Sequence, residues 1–159
     1  MVTIRHTTPE DAAICGRICF EAFSAINAHH NFPPEIPSAE AAAGLLGMLF
    51  SHPNFYTVVA EVDGHIVGSN CLDERSAIAG VGPITVDPSE QNQGVGRVLM
   101  DAVLDRAREA DFAGVRLVQS AFHGRSLSLY SKLGFEVREP LAVMRGPVIG
   151  VVPENCRTR

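Results

Sequence analysis

Ile84-Thr85-Val86-Asp87-Pro88-Ser89-Glu90-Gln91-Asn92-Gln93-Gly94-Val95-Gly96-Arg97-Val98-Leu99 is the stretch on which the reading of this chain turns. Ile84, Thr85 and Val86 read as the end of a strand, and Asp87-Pro88 breaks it. Val95, Val98, Leu99, Ala102, Val103 and Ala107 then fall on one face of a long helix. A strand, a glycine turn and a helix start leave several backbone N–H groups free at the positive end of the helix dipole. Gly94 and Gly96 keep Cβ atoms out of the way of a bulky anion, and Arg97 adds positive charge. A phosphate or diphosphate suits such a turn. Two glycines in that place also suit a tight turn with no ligand. Two familiar phosphate loops are excluded. Leu99 stands where G-x-G-x-x-G needs its third glycine, and no Gly-Lys-Ser/Thr follows.

Before this stretch, residues 56–62 and 66–72 read as a hairpin about Asp63-Gly64, with a polar turn at 73–76 and a first strand at 2–5. Thr8-Pro9-Glu10-Asp11 starts a helix with Ile14, Ile18, Ala22 and Ile26 on one face, ending near Asn27. Pro33, Pro34 and Pro37 make 28–37 a loop, and Ser38 caps a second helix with apolar contacts at Leu45, Leu46, Leu49 and Phe50. After it, 115–119 reads as a buried strand and 126–133 as a short helix that Gly134 ends in a left-handed cap. Residues 135–137 and 141–144 are expected to pair as closing strands. The division is one domain over 1–149 and a polar tail over 150–159.

Composition narrows the function classes. With 46% hydrophobic and 19% charged residues, the 159-residue chain has the makings of a packed core. Thirteen basic residues against 18 acidic ones, net −5, argue against nucleic-acid binding, which needs a basic face. Cys15, Cys19, Cys71 and Cys156 make no metal-ligand spacing, so no metal is expected and a reducing cytoplasm is the expected compartment. No run approaches the roughly 18 apolar residues of a membrane span.

Gln91-x-x-Gly94-x-Gly96 resembles the acyl-CoA diphosphate motif Q/R-x-x-G-x-G/A of the GNAT superfamily of N-acetyltransferases. Ser126-Leu127-Ser128-Leu129-Tyr130-Ser131-Lys132-Leu133-Gly134-Phe135 resembles that family's second CoA segment, N-x-x-A-x-x-L-Y-x-K-x-G-F. The order of elements also agrees. The resemblance implies an α/β (α+β) fold: a central, mostly antiparallel mixed sheet of about six or seven strands with about four helices, splayed at the strand before the glycine loop. It implies acetyl-CoA as cosubstrate and direct attack by a primary amine, and it suggests a homodimer formed through the closing strands.

Carried over residue by residue, Ile84, Thr85 and Val86 would line the pantetheine arm. Gln91, Gln93 and the amides of Gly94, Val95, Gly96 and Arg97 would hold the diphosphate. Tyr130 matches the tyrosine that protonates the departing thiolate. His123 stands where the family has asparagine and Ser126 where it has alanine. His123 is open to three readings: a bond to the pantetheine or tyrosine region, a base, or a surface loop residue. For the acceptor side the candidates are His29, His30 and Phe32 in the first interhelix loop and Asp73 and Glu74 in the turn, with Glu74 also a candidate base. The alternatives are a CoA-binding module without chemistry, or transfer with another acyl donor or an alcohol acceptor.

Overall fold

The structure, a computed structural model, describes residues 1–142 of the chain. Its elements run β1 (Val2–His6), α1 (Ala12–His29), α2 (Ala39–Phe50), β2 (Phe55–Val62), β3 (His65–Asp73), β4 (Ile78–Val81), β5 (Thr85–Val86), α3 (Val95–Glu109), β6 (Gly114–Leu117) and α4 (Gly124–Lys132). One sheet has the order β1-β2-β3-β4-β6, with β5 also on β3. Every pairing is antiparallel except β4 with β6, which is parallel. The mixed α/β class and the mostly antiparallel sheet agree with expectation.

Alternation along the strands sends side chains to two cores. Val58, Ala60 and Leu72 meet Val95, Leu99 and Val103 of α3 on one face. Val59 and Cys71 meet Cys15, Cys19, Ala42 and Leu46 of α1 and α2 on the other. Two glycines permit close approaches. A Cβ at Gly16 would lie 2.5 Å from the Ala43 backbone, so the crossing of α1 and α2 needs its absence. A Cβ at Gly68 would lie 2.6 Å from the Thr85 carbonyl oxygen, so β5 reaches β3 only over a glycine.

The start of α1 is tied to β1 by charge. The buried Asp11 carboxylate accepts from Arg5 Nη1 at 2.7 Å and Nη2 at 3.0 Å, and from the Thr8 N–H at 2.7 Å. The Arg5 guanidinium holds the Asp11 carboxyl below the usual carboxylate range against the opposing cost of burial. Three helices end in the same way, with a left-handed residue and two back-bonds. For α1 it is Asn31, with Phe32 N–H bonding Asn27 O at 2.9 Å; for α3 it is Asp111; for α4 it is the anticipated Gly134.

Several expectations are corrected. The α1 helix runs past Asn27 to His29, because Asn31 supplies the left-handed cap before the prolines act. Leu45 lies on the exposed side of α2. Asp73 closes β3 rather than opening a turn. Met100 and Leu104 join the buried face of α3, because that helix packs against α4 as well as the sheet. The β6 strand is only half-buried. The expected third strand is broken in two: Leu72 pairs Val81 and Ser69 pairs Thr85, so three residues, 82–84, oppose two, 70–71. That is a β-bulge, and it carries a cis Gly82-Pro83 bond. Residues 135–137 form no strand. The rest of the closing pair and the 150–159 tail lie outside the described residues, and with them the strands expected to carry a homodimer.

Candidate active site

The bulge opens a fork in the sheet. The β4 and β6 strands stay paired as far as Val81 and Leu117. Beyond that, β5 follows β3 and has no partner on its other side among the described residues, while the chain after β6 leaves it. Asp87 N–H bonds Val67 O on β3 at 2.8 Å, so by alternation the N–H and C=O of Val86 face into the fork. The Val86 carbonyl is taken by Gln91 Nε2 at 3.1 Å. Among the described residues its N–H has no acceptor. Thr85 turns its side chain the other way and is buried against Ser69.

At the end of β5 the chain turns through Asn92 (φ 67°) and Gly94 (φ 89°) into α3. Helical bonding begins with the Arg97 and Val98 N–H groups, which both donate to Gly94 O. The N–H groups of residues 92–96 have no acceptor among the described residues. These amides cluster where the α3 dipole is positive. Gly94 is required by its left-handed backbone. Gly96 is not required by any clash: a Cβ there would sit 3.5 Å from Leu129 Cδ2 and 3.8 Å from Val86 Cγ2, ordinary contacts. Those contacts show β5, the start of α3 and α4 meeting at one point. Arg97 is half-exposed, and its Nε lies 3.6 Å from Asp101 Oδ2, so part of its charge is spent one turn along the helix. Gln93 reaches back to Ser89 O at 3.5 Å.

Tyr130 stands in the mouth of the fork. It belongs to a buried cluster with Met100 and Leu104, packed by the paired Val81 and Leu117 where the fork begins and by Ile84 of the bulge. Phe135, brought back by the Gly134 cap, meets its ring edge-on with centroids 6.0 Å apart. Burial raises the Tyr130 pKa, and the Ser126 hydroxyl opposes that rise. His123 caps α4: its Nδ1 accepts the Ser126 N–H at 3.1 Å, and its Nε2 lies 3.3 Å from Ser126 Oγ. Burial, helped by Arg125 and His30, lowers the His123 pKa, so the ring is neutral at pH 7 with its proton on Nε2. Both ring nitrogens are thereby engaged.

The acceptor candidates divide. His30 lies 5.0 Å from Phe122, centroid to centroid, and Phe32 stacks on the same ring at 4.3 Å. His29, exposed at the end of α1, meets His30 edge-on. Ser120 Oγ donates to Glu35 Oε1 at 3.2 Å. The loop between α1 and α2 is therefore fastened to the segment between β6 and α4, beside the fork. Phe122 and Glu35 were not singled out from the sequence; nothing in their local pattern marks them, since the contact joins distant loops.

Asp73 and Glu74 are held elsewhere. Asp73 accepts from Arg75 Nε at 2.8 Å and Nη2 at 2.7 Å. Glu74 grips Arg106 with both oxygens, at 2.7 and 3.1 Å. Arg106 is eleven residues along α3 from Val95, about 16 Å at 1.5 Å per residue, so the structure does not bring Glu74 to the loop.

The sequence matches the model of the acetyltransferase (GNAT) family over residues 20–135. It is 36% identical to mycothiol acetyltransferase of Nocardia farcinica over 63 residues, 40% of this chain and 21% of that protein. It is 28% identical to IAA acetyltransferase of Azospirillum brasilense over 90 residues, 55% of this chain and 59% of that one. The chain thus spans about one fifth and about three fifths of those two relatives. The fold is shared with the PaiA N-acetyltransferase of Thermoplasma acidophilum, solved in complex with coenzyme A: TM-score 0.71, 17% identity, covering 88% of this chain and 92% of that one.

Proposed function

Since this chain belongs to the GNAT acetyltransferase family, we propose that it transfers an acetyl group from acetyl-CoA to a primary amine by direct attack. One observation carries the reading: a run of amides at residues 92–96 and a strand edge at β5, both without partners among the described residues, adjoin each other beside a buried tyrosine. The free amides of Gly94, Val95 and Gly96 suit the diphosphate, with Gln93 at the rim; the Arg97 N–H is already given to Gly94 O, so Arg97 contributes its charge rather than its amide. The open edge at Ile84 and Val86 suits the amide-bearing pantetheine arm by strand addition, which aligns the thioester. A backbone N–H of that edge polarises the thioester carbonyl. Tyr130 donates its proton to the departing thiolate.

The acceptor enters from the side of His30, Phe32 and Phe122. Nothing at the fork is assigned as a fixed base, because both His123 nitrogens are engaged and Glu74 is paired with Arg106. Residues 1–149 are read as one transferase domain working in a reducing cytoplasm. The buried free thiols of Cys15, Cys19 and Cys71 suit that setting, where burial raises them to about 12, 11 and 12.

The test is incubation with acetyl-CoA and a broad panel of amines, reading free thiol. Release that depends on one class of amine supports transfer. Tight coenzyme A binding with no release across the panel would reduce the chain to a binding module, and release with alcohols alone would change the acceptor.

A further inference from the structure

Among the described residues, buried side-chain polar atoms without a hydrogen-bond partner belong to two residues, Asn27 (Nδ2 and Oδ1) and Gln119 (Oε1). A buried amide oxygen with no donor carries a desolvation cost, so its place in the fold calls for a cause. Asn27 stands at the root of the loop between α1 and α2, and its carbonyl takes the Phe32 N–H. Gln119 stands where the arms of the fork part. The β4 and β6 strands run in register from Ile78 opposite Gly114 to Val81 opposite Leu117. Carried two residues further, that register sets Gln119 opposite Pro83, inside the bulge that takes β5 away to β3. Exposure alternates here: Arg116 and Val118 are exposed, Leu117 and Gln119 half-buried. Gln119 therefore continues the row of Val115 and Leu117, which packs toward Met100, Leu104 and Tyr130. One residue on, Ser120 is tied to Glu35; three on, Phe122 stacks on Phe32. Gln119 thus links the tyrosine side of the fork to the loop pair on the acceptor side.

We propose that Gln119 selects the acceptor: its Oε1 accepts an N–H of the attacking amine and turns the nitrogen lone pair toward the thioester carbon. This rests on reading the chain as an acetyl-CoA-dependent transferase. The C–N bond forms first and gives an adduct with an ammonium nitrogen and an oxyanion. The C–S bond then breaks, the sulfur takes the Tyr130 proton, and one ammonium proton returns to the phenolate through solvent. An amide oxygen is too weak a base to take that proton, so Gln119 exchanges none. Its bond strengthens as the nitrogen gains positive charge. Because Gln119 is neutral, it leaves the incoming amine uncharged, where a carboxylate would favour the unreactive ammonium form. An alcohol has to lose its one proton to attack, and Gln119 cannot remove it. The site therefore takes amines that keep an N–H to donate while they attack, and rejects alcohols.

The test is Gln119→Met, which keeps the side-chain length and removes the acceptor, with Gln119→Leu as a second apolar variant. Removing a buried oxygen that has no donor leaves the melting temperature at or above that of the parent. In thiol-release assays with an amine that the parent turns over, kcat/KM for the amine falls roughly tenfold and KM for acetyl-CoA is unchanged. Val118→Ala, on the exposed row, changes neither. If both apolar variants melt well below the parent, Oε1 holds the fold together and the proposal is overturned. It is overturned equally by an unchanged kcat/KM for the amine, or by a loss that appears in KM for acetyl-CoA instead, which would make the pantetheine arm the donor. A parent that releases no thiol with any amine fails before a variant is made; that result sinks the transferase reading, and this proposal with it.

Discussion

Asn70, fully buried on β3, donates its side-chain Nδ2 to the Leu99 carbonyl of α3 at 3.1 Å, while its Oδ1 accepts the Cys71 N–H at 2.9 Å. One amide thus fastens the first turns of α3 to the sheet and satisfies the backbone opposite the bulge. The position of the free amides at residues 92–96 depends on that fastening.

Replacing Asn70 by Ala leaves the Cys71 N–H buried without its acceptor. The expected cost is roughly 1–3 kcal/mol, read as a lower urea midpoint at unchanged slope. Coenzyme A affinity is expected to fall as well, because the helix start is no longer held.

Gly94→Ala and Gly96→Ala separate backbone strain from ligand room. At Gly94, with φ 89°, alanine costs about 1–2 kcal/mol of stability. At Gly96 a methyl group meets Leu129 and Val86 at ordinary distances, so thermal melting stays within about 0.5 kcal/mol of the parent. Equal destabilisation by the two would show that the turn has been misjudged.

Tyr130→Phe keeps the ring's packing and removes the proton. Turnover is expected to drop roughly 10²–10⁴-fold with coenzyme A binding nearly intact, measured by thiol release and calorimetry. Equal turnover across pH would remove Tyr130 from the chemistry.

Glu74→Gln breaks the ion pair with Arg106 and is expected to cost no more than about 1 kcal/mol, because Arg106 is partly solvated. Thiol release should be unchanged. A large fall in kcat with a lost acidic limb in its pH profile would restore Glu74 as a base.

Asp11 provides a pH test of the core. Its folded pKa is depressed by Arg5, so its contribution is present above the unfolded value, about 3.9, and fades as pH falls through the lower folded value. Asp11→Asn should therefore be less stable than the parent at pH 7, with the gap closing below about pH 4. A constant gap in denaturation midpoints from pH 7 to pH 3 contradicts the assignment.

The loop was legible because its signals are local: a proline break, two glycines and an apolar stripe at helical spacing all lie between Pro88 and Ala107. The Gly134 cap was legible for the same reason. What escaped is what distance in sequence hides. The bulge at residues 82–84 shows only when β3 is laid against it, since Gly-Val-Gly-Pro has no alternation to fix a register. Asn31 and Asp111 end helices by adopting a left-handed backbone that glycine more often takes, so α1 looked two residues shorter than it is. Glu74 and Arg106 are 32 residues apart, and nothing near either announces the other. Phe32 and Phe122 meet only because two loops fold over one fork.

The most direct measurement is a two-dimensional amide NMR titration of the isotopically labelled chain with coenzyme A and, separately, with pantetheine, which lacks the diphosphate. The account predicts that the Gly94, Val95 and Gly96 amide resonances move with coenzyme A and stay where they are with pantetheine, while Val86 responds to both. If those three resonances remain fixed under saturating coenzyme A, the diphosphate is held elsewhere or not at all, and the account is wrong.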